Sequence, residues 1–182
     1  MLFALVRFGD FRVLPWFLPG AAISVAVGLA AGGRVGRALL VRQATAAALI
    51  VSLGIILSAT LSPLRGALQF GAVGSGSCDL SRLGLAPLRE LLAVNDTSLN
   101  VLLFVPLGVS IALMPRSRRK AVVAIAAIAL PFAIETTQLL VPLLDRGCQS
   151  ADVIDNLTGL AIGLGGGAAA RWLSGRLSLR LR

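Results

Sequence analysis

The polar residues of this chain are bunched between long apolar blocks. Five blocks, near 13–31, 44–61, 99–114, 121–144 and 153–173, approach the length that spans roughly 30 Å of hydrocarbon at about 1.5 Å of helical rise per residue. Each block predicts a membrane-spanning helix. The pattern therefore predicts an all-α fold, a polytopic membrane helix bundle of about five transmembrane helices in a single domain over 1–182. The third block is the shortest, and Pro15 and Pro19 interrupt the first.

The long connection, 62–98, is rich in glycine and serine in its first half. In its second half, 86–93 predicts a short interfacial helix after Pro87, with leucines on one side and Arg89 and Glu90 on the other. Two series of glycines at four-residue spacing, Gly28, Gly32, Gly36 and Gly159, Gly163, Gly167, mark faces where helix backbones can approach closely. Most simply they are seams within the chain; dimerisation is the lesser alternative.

Polar groups inside the apolar blocks carry the functional signal. Glu135 lies in the fourth block, about 14 Å below its outer end on helical rise. An ionisable residue at such depth costs free energy unless it is paired, neutral or wetted, and it marks a functional site by default. Gln138 follows one turn later on the same face. At the start of the fifth block, Asp152, Asp155 and Asn156 project from one side of the first helical turns. Asp152 has a second reading as a helix N-cap. Asn100 opens the third block level with Asp152, and Pro106 and Pro131 loosen the helices that carry Asn100 and Glu135. Three blocks bring polar groups to one end, which predicts a water-accessible pocket there. Arg146, in the loop, is too short to reach Glu135 at the expected depth and pairs more easily with Asp152 or Asp155.

Composition agrees with this picture. Hydrophobic residues make up 57% of the chain and charged ones only 14%, where a soluble domain carries about a quarter. The net charge of +9 therefore points to membrane topology and not to a nucleic-acid partner. Eleven of the 17 Lys and Arg follow the first and third blocks or lie from the end of the fifth onward, in segments without acidic residues. Basic residues are retained on the cytoplasmic side, so the N-terminus is expected outside and the C-terminus inside. Arg7 and Arg12 before the first block also allow a cleaved signal peptide as the minor reading. Cys78 and Cys148 then both face outward, where an oxidising exterior permits a disulfide; spacing alone leaves their pairing open. The chain has no histidine, so Ser-His-Asp and Cys-His nucleophile systems and Cys/His metal sites are absent. No metal site and no cofactor is expected, and acid–base work would fall to carboxylates.

The stretches "LSATLSPL", "NVLLFVPLG", "ETTQ" and "RGCQSADVIDNLTGLAIG" occur in order over about 57–166. Together they resemble the VanZ-like family of bacterial integral membrane proteins. The resemblance carries over to Asn100, Pro106, Gly108, Glu135, Gln138, Arg146, Asp152, Asn156 and Gly159. Two acidic positions frequent in that family hold Gln149 and Ala151 here, and Asp155 stands where an aliphatic residue is usual. The resemblance implies a multi-pass protein of the bacterial plasma membrane acting at the cell envelope, and its namesake is associated with low-level antibiotic resistance of the teicoplanin type.

Several functions follow. In the first, the pocket binds a lipid or cell-wall precursor head group, with Arg146 on phosphate or carboxylate and Asn100, Gln138, Asp155 and Asn156 as further binding residues. In the second, the chain is an enzyme on a lipid-linked substrate, with Glu135 as general acid or base and Asp152 as its catalytic partner. A third makes it a small proton-coupled transporter or flippase, and a fourth gives the polar cluster only a packing role. The expected partners are membrane lipids and a lipid-linked precursor, with homo-oligomerisation left open.

Overall fold

The computed structural model describes residues 14–65, 67 and 76–180, with the side chains of 175 and 177–180 excepted. Arg7 and Arg12 of the signal-peptide reading, Arg182, and 68–75 of the glycine- and serine-rich segment lie outside the described residues. Among those described, six α-helices form an all-α bundle: α1 (Phe17–Leu39), α2 (Gln43–Thr60), α3 (Leu88–Leu92), α4 (Asp96–Ala112), α5 (Arg118–Leu140) and α6 (Ser150–Arg180). Helices α1, α2, α5 and the Ser150–Ser174 part of α6 are long and apolar enough to cross a membrane. Helix α4 is apolar but has only 17 residues.

Helices α1 and α2 form an antiparallel hairpin. The apolar pattern ends the first block near residue 31, yet α1 continues through Gly32, Gly33 and Arg34 to Leu39. The glycines there do not turn the chain; they let α2 come close. A Cβ on Gly32 would lie 3.1 Å from the Ala47 Cβ, and one on Gly36 3.0 Å from the Val41 carbonyl oxygen. Reversal falls to Leu40, in the left-handed region at φ 57°. There the Leu40 and Val41 N–H groups donate to the Arg37 and Gly36 carbonyls and close the end of α1.

The second seam joins α4 to α6. A Cβ on Gly159 would collide with the Val101 carbonyl, one on Gly163 with that of Val105, and one on Gly108 with that of Leu160. The backbones therefore touch, as small residues permit in lipid. The other faces of α4 bury Phe104, Leu107 and Ile111 in the core, which Leu49, Ile56, Ile134 and Leu160 complete. Both glycine series thus close inside one chain.

Helix ends show how the short α4 is held. Asn95 and Ser98 form a reciprocal capping box at its start. At its other end the Lys120 Nζ donates to the Ala112 carbonyl at 3.1 Å, and Arg171 Nη1 donates to the Ala112 and Met114 carbonyls at 2.9 and 2.6 Å. Two cations thus answer carbonyls that have no partner within the helix.

At the opposite end, β1 (Cys78–Asp79) and β2 (Cys148–Gln149) form a two-residue parallel pair. Cys78 and Cys148 are in register and joined by a disulfide, with Cα atoms 4.5 Å apart. The short helix expected after Pro87 is α3, which begins at Leu88.

Candidate functional site

Helix α5 stops at Leu140 because Pro142 has no N–H to extend it. A 3-10 turn, Pro142–Leu144, and a left-handed Asp145 at φ 51° then fold the chain back over the helix end. The apolar block extends to 144, but the helix ends at Leu140, only five residues after Glu135. Because the helix ends earlier and the loop turns inward, β2 reaches the carboxylate: the Gln149 N–H donates to Glu135 Oε2 at 2.7 Å. Glu135 is 5% exposed.

Gln138 and Arg146 both serve the end of α2. Gln138 Nε2 donates to the Thr60 carbonyl at 2.9 Å, and Arg146 Nη2 and Nε donate to the Ala59 and Ser62 carbonyls at 2.8 and 3.2 Å. The last carbonyls of a helix have no intrahelical donor, and a cation suits the negative end of the helix dipole. The expected pairing of Arg146 with Asp152 or Asp155 is thereby corrected, because the loop carries Arg146 toward α2.

Asp155 takes a different cation. Arg82, from the long connection, reaches it with Nη2 to Oδ2 at 2.5 Å. Arg82 Nη2 also meets the Ala151 carbonyl at 3.3 Å, and Ser150 Oγ donates to the Arg82 carbonyl at 2.8 Å. The hydrogen bond and charge of Asp155 raise the Arg82 guanidinium above its ordinary range, so it stays charged. In the same loop the Ser81 N–H holds exposed Asp79 below the usual carboxylate range. The sequence reading missed Arg82, because an arginine in a glycine-rich loop has no periodicity to mark it. Its one signal was Cys78: a disulfide to Cys148 places the following residues at the start of α6.

Helix α6 begins at Ser150, so Asp152 lies inside its first turn and not at the N-cap. Its Oδ1 accepts from Asn100 Nδ2 at 2.8 Å, which joins α4 to α6. One turn further, Asn156 is 1% exposed, and among the described residues its Oδ1 has no hydrogen-bond partner.

These groups surround one cavity of about 310 Å³. Asn100, Glu135, Gln138, Arg146, Asp152 and Asn156 line it, whereas Asp155 does not. Asp96, Asp145 and Gln149 also face it, and Leu14, Leu64 and Leu103 supply an apolar side. The cavity sits where α2 and α5 end and α4 and α6 begin, opposite the helix ends that carry the basic clusters. Chemically it offers carboxyl and amide acceptors, a guanidinium anchored on α2 and a short apolar wall.

A family model described as VanZ/LLP1 matches residues 45–171. The chain belongs to the VanZ/LLP1 family. No curated protein and no solved structure matches it. The VanZ/LLP1 region runs from within α2 to Arg171 in α6 and, among the described residues, contains all that line the cavity except Leu14. Membership in this family, with four helices of membrane-spanning length, makes the chain a membrane protein.

Proposed function

We propose that the cavity is an outward-facing head-group site of a multi-pass protein in the bacterial plasma membrane. It binds a lipid or a lipid-linked cell-wall precursor and through it alters susceptibility to teicoplanin-type glycopeptides. The observation that carries this reading is the convergence of Asn100, Glu135, Gln138, Asp152 and Asn156 from α4, α5 and α6 on one cavity. A packing cluster would satisfy its own polar groups; this one keeps an orphan at Asn156 and room for a small head group. Two features support the outward orientation. The basic segments lie at the other helix ends, and the disulfide lies at the cavity end, as in an oxidising compartment.

A second reading, acid–base catalysis on a lipid-linked substrate, is favoured by one observation: Glu135 and Asp152 line the same cavity. One experiment addresses both. Teicoplanin susceptibility is measured in a sensitive Gram-positive host expressing wild type, Glu135→Gln or Arg146→Ala at matched membrane levels. Wild type is expected to raise the inhibitory concentration, and Arg146→Ala to return it to the vector baseline. Full or partial protection that survives Glu135→Gln favours binding, whereas its complete loss favours proton chemistry. Equal protection by all three proteins would overturn a role for the cavity.

A further inference from the structure

The described cavity wall is rich in acceptors. Glu135, Asp145 and Asp152 bring carboxyl groups to it, beside the guanidinium of Arg146. Arg146 already donates to the Ala59 and Ser62 carbonyls. An anion entering here would meet carboxylates on several sides and a cation that is partly engaged. The independent observation is Asn156, which lines the cavity at 1% exposure with Oδ1 unpartnered. A buried acceptor without a donor carries an unmet desolvation cost until a donor reaches it. The wall therefore asks for positive charge and N–H donors.

A bare metal ion fits less well. Among the described residues, no three His, Cys, Asp or Glu side chains are grouped to hold one, and hard cations take six or more oxygen ligands. A primary ammonium offers three N–H donors and no acceptor, which matches carboxyl groups and an orphaned amide oxygen. Leu14, Leu64 and Leu103 suit the methylenes that carry such a group.

We propose that the cavity takes a primary ammonium group borne by a membrane amphiphile, with Asn156, Glu135 and Asp152 as its acceptors. This rests on the head-group reading above and names the chemistry that site selects. An ethanolamine phospholipid and a lipid-linked cell-wall precursor with a free stem-peptide amine both supply it.

The test uses the purified full chain in nonionic detergent. Binding is measured for phosphatidylethanolamine against phosphatidylcholine, for the amine-bearing precursor against its N-acetylated form, and for phosphatidylglycerol. In at least one pair the free amine should bind about tenfold tighter than its blocked counterpart, the ratio set by one lost charge-assisted contact. The pair that discriminates identifies the source. That preference should fall to about unity, as no differential contact remains, in Glu135→Gln, which keeps an acceptor for the Gln149 N–H, and in Asn156→Ala. Intact disulfide and thermal unfolding check that both variants are folded.

Equal binding of free and blocked amines overturns the ammonium assignment and leaves the head-group reading standing. Tightest binding of phosphatidylglycerol does the same. A preference unchanged in both variants overturns these residues as its acceptors. If no lipid and no precursor binds, both readings fail.

Discussion

Arg82 and Asp155 meet across 73 residues of chain, and the pair is lopsided. Asp155 is 1% exposed while Arg82 keeps contact with solvent. Removing the arginine leaves a buried carboxylate without its cation, and breaking such a pair from one side costs about 3 kcal/mol. Arg82→Ala should lower thermal stability accordingly, and Arg82→Ala with Asp155→Leu should recover most of the loss. The raised guanidinium pKa has a definite sign. Its stabilisation is fully present below the unfolded-state value and is lost only as pH rises past the folded-state value. Unfolding measured in detergent between pH 6 and pH 9 should therefore show no loss from this group. The site was only partly legible at this scale. Asn100, Glu135, Gln138, Asp152 and Asn156 stand out because each interrupts or borders an apolar block. Arg82 does not, since arginines are ordinary in polar loops, and Asp155 looked like a binding residue only because its cation was invisible.

Among the elements, the seam between α4 and α6 separates two meanings of glycine. Gly159 faces the Val101 carbonyl directly, while a Cβ added at Gly165, six residues on, would meet no described atom within 4 Å outside its own helix turns. Gly159→Ala should destabilise by about 2 kcal/mol, because a helix backbone must move. Gly165→Ala should be neutral or stabilising by about 0.5 kcal/mol, as a helix position freed of glycine. Thermal unfolding of the two variants side by side checks the contrast. The same contrast bears on α1. Its apolar block ends near residue 31, but Gly28, Gly32 and Gly36 belong to a packed face and the helix runs on to Leu39. Helices and seams were legible because period and spacing encode them. The inward fold of 141–149 was not, since it depends on where Pro142 stops α5 and on the far end of α2.

At the scale of the molecule, the Cys78–Cys148 disulfide closes a 70-residue span that contains α3, α4 and α5. A loop of that length contributes up to about 4 kcal/mol through the unfolded state. Cys78→Ser with Cys148→Ser should lower the unfolding temperature, and adding reductant should do the same to wild type only. Because β2 carries the N–H that holds Glu135, amide exchange at Gln149 should also quicken. The order of synthesis brings out another side of this architecture. The hairpin of α1 and α2 can close as soon as it is made, but the polar groups that follow all wait on later segments. The end of α2 is answered by Gln138 and Arg146, Glu135 by Gln149, and Asn100 by Asp152. A chain halted at the end of α5 would hold Asn100 and Glu135 in apolar surroundings with neither Asp152 nor Gln149 yet made. The stretch from β2 into α6 is thus the one that makes α4 and α5 compatible with lipid, and a copy truncated before it declares itself to quality control by the polar groups it leaves stranded.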